Sequence, residues 1–468
     1  MEMGKIQGNP VHVLIIPFPA PGHVIPLLEL TRRLLTHRDN HFNITFFSTP
    51  SSLSLVTPLL SVFPPPQLQP LIFSPPSPSS SNDVIPPPTA RVRALHALSD
   101  PIIAWYRSHP SPPCLIISDF FCTWTHKLCS CLRVPRVVFY PSAAFSSAVL
   151  YSMWGLAPNN PENDVNLEVV FDDVVGSPRF KWFELSFLFR SGKPGDPEWD
   201  IFRDDLLSNL TSWGALFNTF SEMEKVYIDH FINKMGHNRV WAVGPLLQDD
   251  VAQEGEPQAQ NLMTWLNDKA DCSVIYICFG SLTALTGEES TVLRAALEYS
   301  KVQFVWCARE TDGEEGMDIN TVDWECDPNT AKNGLIVKGW APQLAILGHR
   351  AIGGFVTHCG WNSIVESIWP GVVTVAWPMG ADQYSNAQLV VDKLGLGFQV
   401  KCDGPMGVPD PQELGQLLVK SLSATQLERD RVIRLGKMAA STVKSGASGI
   451  DFDQFVKCLS ECILRSSV

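Results

Sequence analysis

Apolar residues in this chain fall into short dense runs, each ending in glycine, proline or a polar residue and followed by apolar positions three and four apart. The first run is Val11–Ile16, VHVLII, which passes through a proline-glycine loop to His23. From Pro26 the leucines at 27, 28, 30, 34 and 35 have helical spacing, and residues 42–47 form a second strand-like run. Runs at 114–118, 136–140, 216–219 and 240–243 continue the first half. Those at 274–279, 302–307, 335–337, Ile352–Thr357 and 372–376 build the second. Strands that read as uninterrupted apolar segments, alternating with amphipathic helices, predict parallel sheets buried on both faces. In such sheets ligands lie beyond the carboxyl ends of the strands, where His23 and Asp119 fall.

Three stretches depart from this rhythm. Residues 63–88 are rich in proline and serine and read as a surface excursion without regular structure. Residues 151–215 carry aromatic clusters (Phe180, Trp182, Phe183, Phe187, Phe189) and read as helices and loops walling an acceptor pocket. Residues 310–333 are acidic and loop-like, and 451–464 close the chain with a helical apolar stripe of Phe452, Phe455, Val456, Leu459 and Ile463.

The densest chemistry lies in residues 340–383, WAPQLAILGHRAIGGFVTHCGWNSIVESIWPGVVTVAWPMGADQ. A buried strand runs directly into His358-Cys359-Gly360-Trp361-Asn362-Ser363 and then into a helix, an arrangement that presents backbone N–H groups and a positive dipole end to phosphate. Asn362 and Ser363 are good helix-cap types and good phosphate ligands, with Glu366 one turn further along the same face. A carboxylate there suits ribose hydroxyls, and the indole of Trp340 suits a base. Asp382 and Gln383 supply a carboxylate, an amide carbonyl and an amide NH2 for sugar hydroxyls.

This block resembles the signature box of plant family-1 UDP-glycosyltransferases, with W-A-P-Q, H-C-G-W-N-S, the glutamate and the closing D-Q in register. Val373 departs from the proline usual there, at a position that shapes a strand entry. P-F-P-A-P-G-H at 17–23, S-D-F-F at 118–121, V-W-A-V-G-P at 240–245 and C-F-G-S at 278–281 extend the resemblance, which is weakest over 151–215. It implies an α/β protein of GT-B type, with two Rossmann-like domains facing across a cleft. The expected boundaries are an acceptor-binding domain at 1–245, a linker at 246–260 and a UDP-sugar-binding domain at 261–450. Residues 451–468 then form a helix packing back on the first domain.

The same resemblance distributes the roles. His23 is the base that takes the acceptor proton, since an imidazole is largely able to accept a proton at neutral pH. Asp119 fixes its tautomer and stabilises the imidazolium, and also suits a cap for the helix after it. His358, Asn362, Ser363 and Ser281 hold the diphosphate. Trp340 and the backbone of Ala341 face uracil, Gln343 and Glu366 the ribose, Asp382 and Gln383 the sugar, with Trp361 close by. Ser142 matches a position near the donor sugar.

Net charge is −13, with no long basic run, so nucleic acid and anionic membranes are not expected partners and an anionic donor must be gripped locally. The 12 cysteines are scattered without zinc-like pairs and read as reduced cytosolic thiols. No metal and no cofactor are expected, the UDP-sugar being a co-substrate. Asp451 and Asp453 match a D-x-D pattern but lie outside the motifs and read as solvated. The expected protein is a cytoplasmic monomer without membrane insertion. It transfers a sugar, with inversion, from UDP-glucose to a small phenolic acceptor, with the flavonol 7-hydroxyl a plausible target. UDP-rhamnose or UDP-xylose as donor, and a catalytically inactive nucleotide-sugar binder, stand as alternatives. A glycosidase lacks the carboxylate pair it would need.

Overall fold

The protein is described here from a computed structural model covering residues 10–38, 42–75, 88–247, 257–281, 283–308, 333–339, 341–402, 404, 407–423 and 427–466. Trp340 and most of the acidic loop lie outside the described residues. The chain divides into two units, Met1–Ala157 with Leu188–Gln248 and Ser445–Val468, and Pro158–Phe187 with Asp249–Lys444.

In chain order the strands are β1 (Val11–Ile16), β2 (Phe42–Ser48), β3 (Leu68–Ile72), β4 (Leu115–Asp119) and β5 (Arg136–Tyr140). A short antiparallel hairpin follows, β6 (Glu168–Val170) and β7 (Arg179–Lys181), then β8 (Gly214–Phe217) and β9 (Val240–Ala242). The second unit continues with β10 (Val274–Cys278), β11 (Gln303–Ala308), β12 (Gly334–Lys338), β13 (Ile352–Thr357), β14 (Val373–Ala376) and β15 (Gly397–Gln399).

The two main sheets repeat one plan. The first runs β3-β2-β1-β4-β5-β8-β9 and the second β12-β11-β10-β13-β14-β15, every pair parallel. In each, the strand order reverses beside the unit's first strand, the doubly wound Rossmann-like arrangement whose ligand crevice opens at that reversal. The switch points are β1/β4 and β10/β13. Burial on both faces explains the apolar runs: Val13 and Ile15 enter one core cluster, Leu14 and Ile16 the other. In β10, Ile275 and Ile277 face one cluster while Val274 and Tyr276 face the second.

Two expectations about irregular segments need correction. The stretch 63–88 contains β3, which pairs with β2 in register Ile44↔Leu68 through Ser48↔Ile72. Pro70 sits within it, tolerable because β3 is an edge strand whose missing N–H can face outward. The stretch 151–215 is not one irregular wall: Pro158–Phe187 holds the β6–β7 hairpin and belongs to the second unit.

The last helix, Ala447–Ser466, belongs to the first unit, where Phe452, Phe455, Val456 and Leu459 join the cluster containing Trp241 and Val243. The side chain of Ile463 lies outside the described set. Asp451 is not solvated as its spacing suggested. Its carboxylate accepts the Ala242 N–H at 3.0 Å, and burial raises its pKa. Asp453 pairs with His37 at 3.2 Å, so the D-x-D pair serves helix docking.

Candidate active site

At the first switch point the loop after β1 enters the helix Pro21–Leu35 two residues before His23. Pro21 opens that helix with its φ preset, so His23 sits in the first helical turn, and Pro26 lies inside the helix. Asp119 ends β4, fully buried. Its Oδ2 accepts from His23 Nδ1 at 2.8 Å, and Oδ1 accepts the Phe121 N–H at 2.9 Å. The second bond closes a side-chain turn, since the next helix begins only at Thr125. A carboxylate only accepts, so Nδ1 carries the proton and Nε2 carries the basic lone pair. The imidazole is one-fifth exposed. Rings of Phe18, Phe121 and Phe120 lie 5.2, 5.6 and 5.9 Å from it, an apolar collar that suits a flat aromatic acceptor.

Ser142 follows β5, but its Oγ pairs with Ser147 Oγ at 2.8 Å and is buried within the first unit. The helix Ala144–Leu156 beside it is capped from a distance. Ala143 has no capping group, and Glu224 accepts the N–H of Ala144 at 3.1 Å, the N–H of Phe145 at 2.8 Å and the Thr219 hydroxyl at 2.5 Å. Burial raises the Glu224 carboxyl to about 7.

At the second switch point β10 ends before Phe279-Gly280-Ser281, and β13 ends before His358. A Cβ at Gly280, whose φ is +79°, would stand 2.6 Å from the His358 ring, and one at Gly360 would stand 2.5 Å from it. The imidazole is therefore held between two glycines, and burial lowers its pKa to about 4. It stays neutral at physiological pH and is a hydrogen-bond partner rather than a cation.

The helix that follows, Trp361–Ile368, has Gly360 at its cap position, without a capping side chain. Asn362 and Ser363 thus lie in its first turn rather than at the cap. Trp361 is 3% exposed, so its indole is mainly a packing group. Ala341 is buried, and Gln343 opens the helix Gln343–Leu347. The Gln343 NH2 donates to Glu366 Oε2 at 2.5 Å and Ser363 Oγ at 3.1 Å, while its carbonyl accepts from the Tyr276 hydroxyl at 3.3 Å. Gln343 is thereby tied to Glu366.

Gln383 shows a sharper departure. Its carbonyl oxygen accepts the N–H groups of Met379 at 2.8 Å and Gly380 at 2.9 Å, using both lone pairs. Only its NH2 donors are left to offer a ligand. Asn386, fully buried, donates to the Cys359 carbonyl and to Asp382 Oδ2, both at 2.9 Å, and so links the His358 turn to the Asp382-Gln383 pair. Sequence reasoning missed Asn386, Tyr276 and Glu224. Only the unusual placing of polar types inside apolar elements hints at them.

A family model described as UDP-glucoronosyl and UDP-glucosyl transferase matches residues 245–402. A flavonol 3-O-glucosyltransferase of Arabidopsis thaliana is 41% identical over 98% of this chain and 98% of its own. The chain belongs to the plant UDP-glycosyltransferases. It is therefore an enzyme of that class, and an inactive binder finds no support. A flavonol 7-O-rhamnosyltransferase of the same organism is 30% identical over 93% of this chain and 95% of its own. The crystal structure of Arabidopsis thaliana UGT89C1 complexed with quercetin matches with TM-score 0.74 at 29% identity, covering 96% of this chain and 99% of that one. The same protein complexed with UDP-L-rhamnose gives 0.76 at 28%, over 97% and 100%. The glycosyltransferase has the GT-B type of fold of these neighbours, built on two parallel α/β sheets.

Among the described residues no helix is long and apolar enough to cross a membrane, and no three His, Cys, Asp or Glu gather as metal ligands.

Proposed function

We propose that this glycosyltransferase moves glucose, with inversion, from UDP-glucose to a hydroxyl of a flavonol or similar small phenol, acting as a metal- and cofactor-independent monomer in the cytoplasm. The observation that carries the reading is the pairing of His23 with Asp119 at the first switch point. Nε2 of His23 removes the acceptor proton, and Asp119 stabilises the imidazolium as it forms. The acceptor oxygen then attacks the anomeric carbon, its bond to the sugar forming as the bond to the diphosphate breaks. UDP leaves from the opposite face.

Negative charge growing on the diphosphate meets the first turn of Trp361–Ile368, with Asn362, Ser363, Ser281 and neutral His358 as partners. Glu366, held by Gln343, takes the ribose hydroxyls. By the motif they stand in, Trp340 and the Ala341 backbone take the base, while Asp382 and the Gln383 NH2 hold the sugar, with buried Trp361 as a packing group. The burial of Ser142 against Ser147 favours a supporting place beside the acceptor over a direct grip on the donor.

Glucose and the flavonol class are supported by the name of the 41% relative, which specifies the 3-hydroxyl. Rhamnose and the 7-hydroxyl are the second reading, favoured by the flavonol 7-O-rhamnosyltransferase and by the neighbour complexed with UDP-L-rhamnose. UDP-xylose has no such support. Incubating the enzyme with UDP-glucose, UDP-rhamnose and UDP-xylose against quercetin, kaempferol and simple phenolic acids, with mass-spectrometric readout, tests both readings. Absence of any glycosylated phenol would overturn the acceptor class.

A further inference from the structure

The helix that begins with Gln383 carries a plate supplied from a distant part of the chain. Pro158–Phe187 interrupts the first unit in sequence yet belongs to the second. Two contacts fasten it along the Gln383 helix, and the residue that ends the helix's continuation lies close to its turn. Phe183 meets the Tyr384 ring edge-on at 5.8 Å. The Gln388 side-chain NH2 donates to the Arg179 carbonyl at 3.2 Å. A side chain added at Gly176, whose φ is +84°, would meet the Lys393 ammonium at 3.2 Å, so only glycine leaves that ammonium its place. Tyr384 and Gln388 lie near the two ends of the helix Gln383–Gln388, and Lys393 ends the wider π-helical turn Leu389–Lys393 that continues it.

The plate has its own internal structure. The strands Glu168–Val170 and Arg179–Lys181 pair, and Phe171, Val174, Phe180 and Phe183 are buried. Such a preformed element can hold a neighbouring helix in place, and the π-helical turn beyond that helix is a local departure from α geometry of a kind frequent at functional sites. Tyr384 adjoins Gln383, whose carbonyl holds Met379 and Gly380. A tilt of the first helical turn would carry Gln383, Asp382 and that loop together.

We propose that the segment Pro158–Phe187 is a specificity-determining strap, and that Phe183, acting through Tyr384, is a positioning residue for Asp382 and Gln383. Its effect falls on the sugar half of the donor and leaves the UDP half alone. The proposal rests on the reading that Asp382 and Gln383 hold the sugar.

The test compares Phe183→Ala, Phe183→Tyr and Gln383→Ala in the full chain. KM is measured for UDP-glucose and UDP-rhamnose, and Kd for UDP. Phe183→Ala should raise the donor KM about two- to tenfold, the range a ring–ring contact supplies, and change the ratio between the two donors. UDP affinity should stay within about twofold, and Phe183→Tyr should restore the wild-type values. A folded Phe183→Ala with unchanged donor KM and ratio overturns the strap, as does an equal loss for UDP and UDP-sugar. If Phe183→Ala is silent while Gln383→Ala weakens the donor sugar, the strap fails and the sugar site stands. If both are silent, the sugar site fails with it. Should Phe183→Ala not fold, Gln388→Leu, which removes the bond to Arg179, is judged by the same criteria.

Discussion

His23 Nδ1 donates to Asp119 Oδ2 across 2.8 Å although 96 residues separate them. Parallel neighbours β1 and β4 close that distance, with Ile16 in register with Ser118, so both residues leave the sheet at one switch point. The second bond of Asp119, to the Phe121 N–H, holds the carboxylate still. One residue thereby orients the imidazole and closes the turn beneath it.

These two duties separate under substitution. His23→Ala should lose about 10²–10⁴-fold in turnover, the usual worth of general base catalysis, with UDP affinity nearly unchanged. Asp119→Asn keeps an acceptor for Phe121 N–H but turns an NH2 toward Nδ1, so the proton moves to Nε2 and the base is blocked. Turnover should fall steeply while the melting temperature stays close to wild type. Losses should be smaller with an acidic phenol than with an aliphatic alcohol. Full turnover by His23→Ala at neutral pH with a weakly acidic acceptor would remove His23 from the mechanism.

Gln383→Glu tests which half of the amide matters. Glutamate keeps the oxygen that accepts from Met379 and Gly380 but replaces the NH2 donors with an acceptor. Donor KM should rise without loss of stability. Gln383→Ala should also lower stability, because two loop N–H groups lose their partner at about 1 kcal/mol each. Equal donor KM for Gln383→Glu and wild type would show that the NH2 makes no contact with the sugar.

Gly280→Ala tests the proposed diphosphate site. The new methyl would meet His358 at 2.6 Å, at a backbone φ of +79° that costs a non-glycine residue about 1–2 kcal/mol. The imidazole has to move, and UDP affinity should fall by about tenfold or more. Calorimetric titration with UDP reads this directly, and unchanged affinity would place His358 outside the diphosphate site.

What was legible in the sequence follows a physical division. Strand runs, switch-point residues and the 340–383 box were readable because β-α alternation places chemistry at strand ends. Leu68–Ile72 was not, because Pro70 carries the signal of a loop and only an edge position excuses it. The hairpin around Phe171 has strands of three residues, too short for a period to emerge. Asp451 and Asp453 point apart on their helix, as expected, but one of those directions is buried against β9. Gln383 showed its type but not which half of its amide the loop would consume. Glu224 was the least readable, because the N–H groups it satisfies lie 79 and 80 residues earlier.

Docking of the last helix should govern the stability of the first unit. Phe452, Phe455, Val456 and Leu459 are each at most 5% exposed, and burying such a side chain is worth about 1.5–3 kcal/mol. Losing all four approaches the whole stability of a typical domain, about 5–15 kcal/mol. Deleting residues from Asp451 onward should abolish cooperative unfolding of the first unit. Asp451→Ala, which strands the Ala242 N–H, should cost about 1–3 kcal/mol. An unchanged melting transition in the truncated chain would contradict a docked helix.

Burial of Glu224 predicts a pH dependence of stability whose sign follows from its raised pKa. Burial raises its carboxyl from 4.5 to about 7, against the opposing pull of Thr219 and the N–H groups of Phe145 and Ala144. In the folded state the group thus holds its proton where the unfolded chain has released it. Its contribution to stability is complete below about pH 4.5, declines as pH rises toward 7, and above that the fold carries a buried carboxylate at constant cost. A shift of this size corresponds to about 3 kcal/mol. Tyr227, the neighbouring titratable group, is pushed up to about 12 and stays out of the window. Glu224→Gln cannot titrate and also turns an NH2 toward one of the two backbone N–H groups, of Ala144 or Phe145, so it should be less stable than wild type at low pH by a margin that narrows on going from pH 5 to pH 8. Urea denaturation of both proteins at pH 5, 6, 7 and 8 measures that margin, and parallel profiles would mean that Glu224 keeps one protonation state throughout.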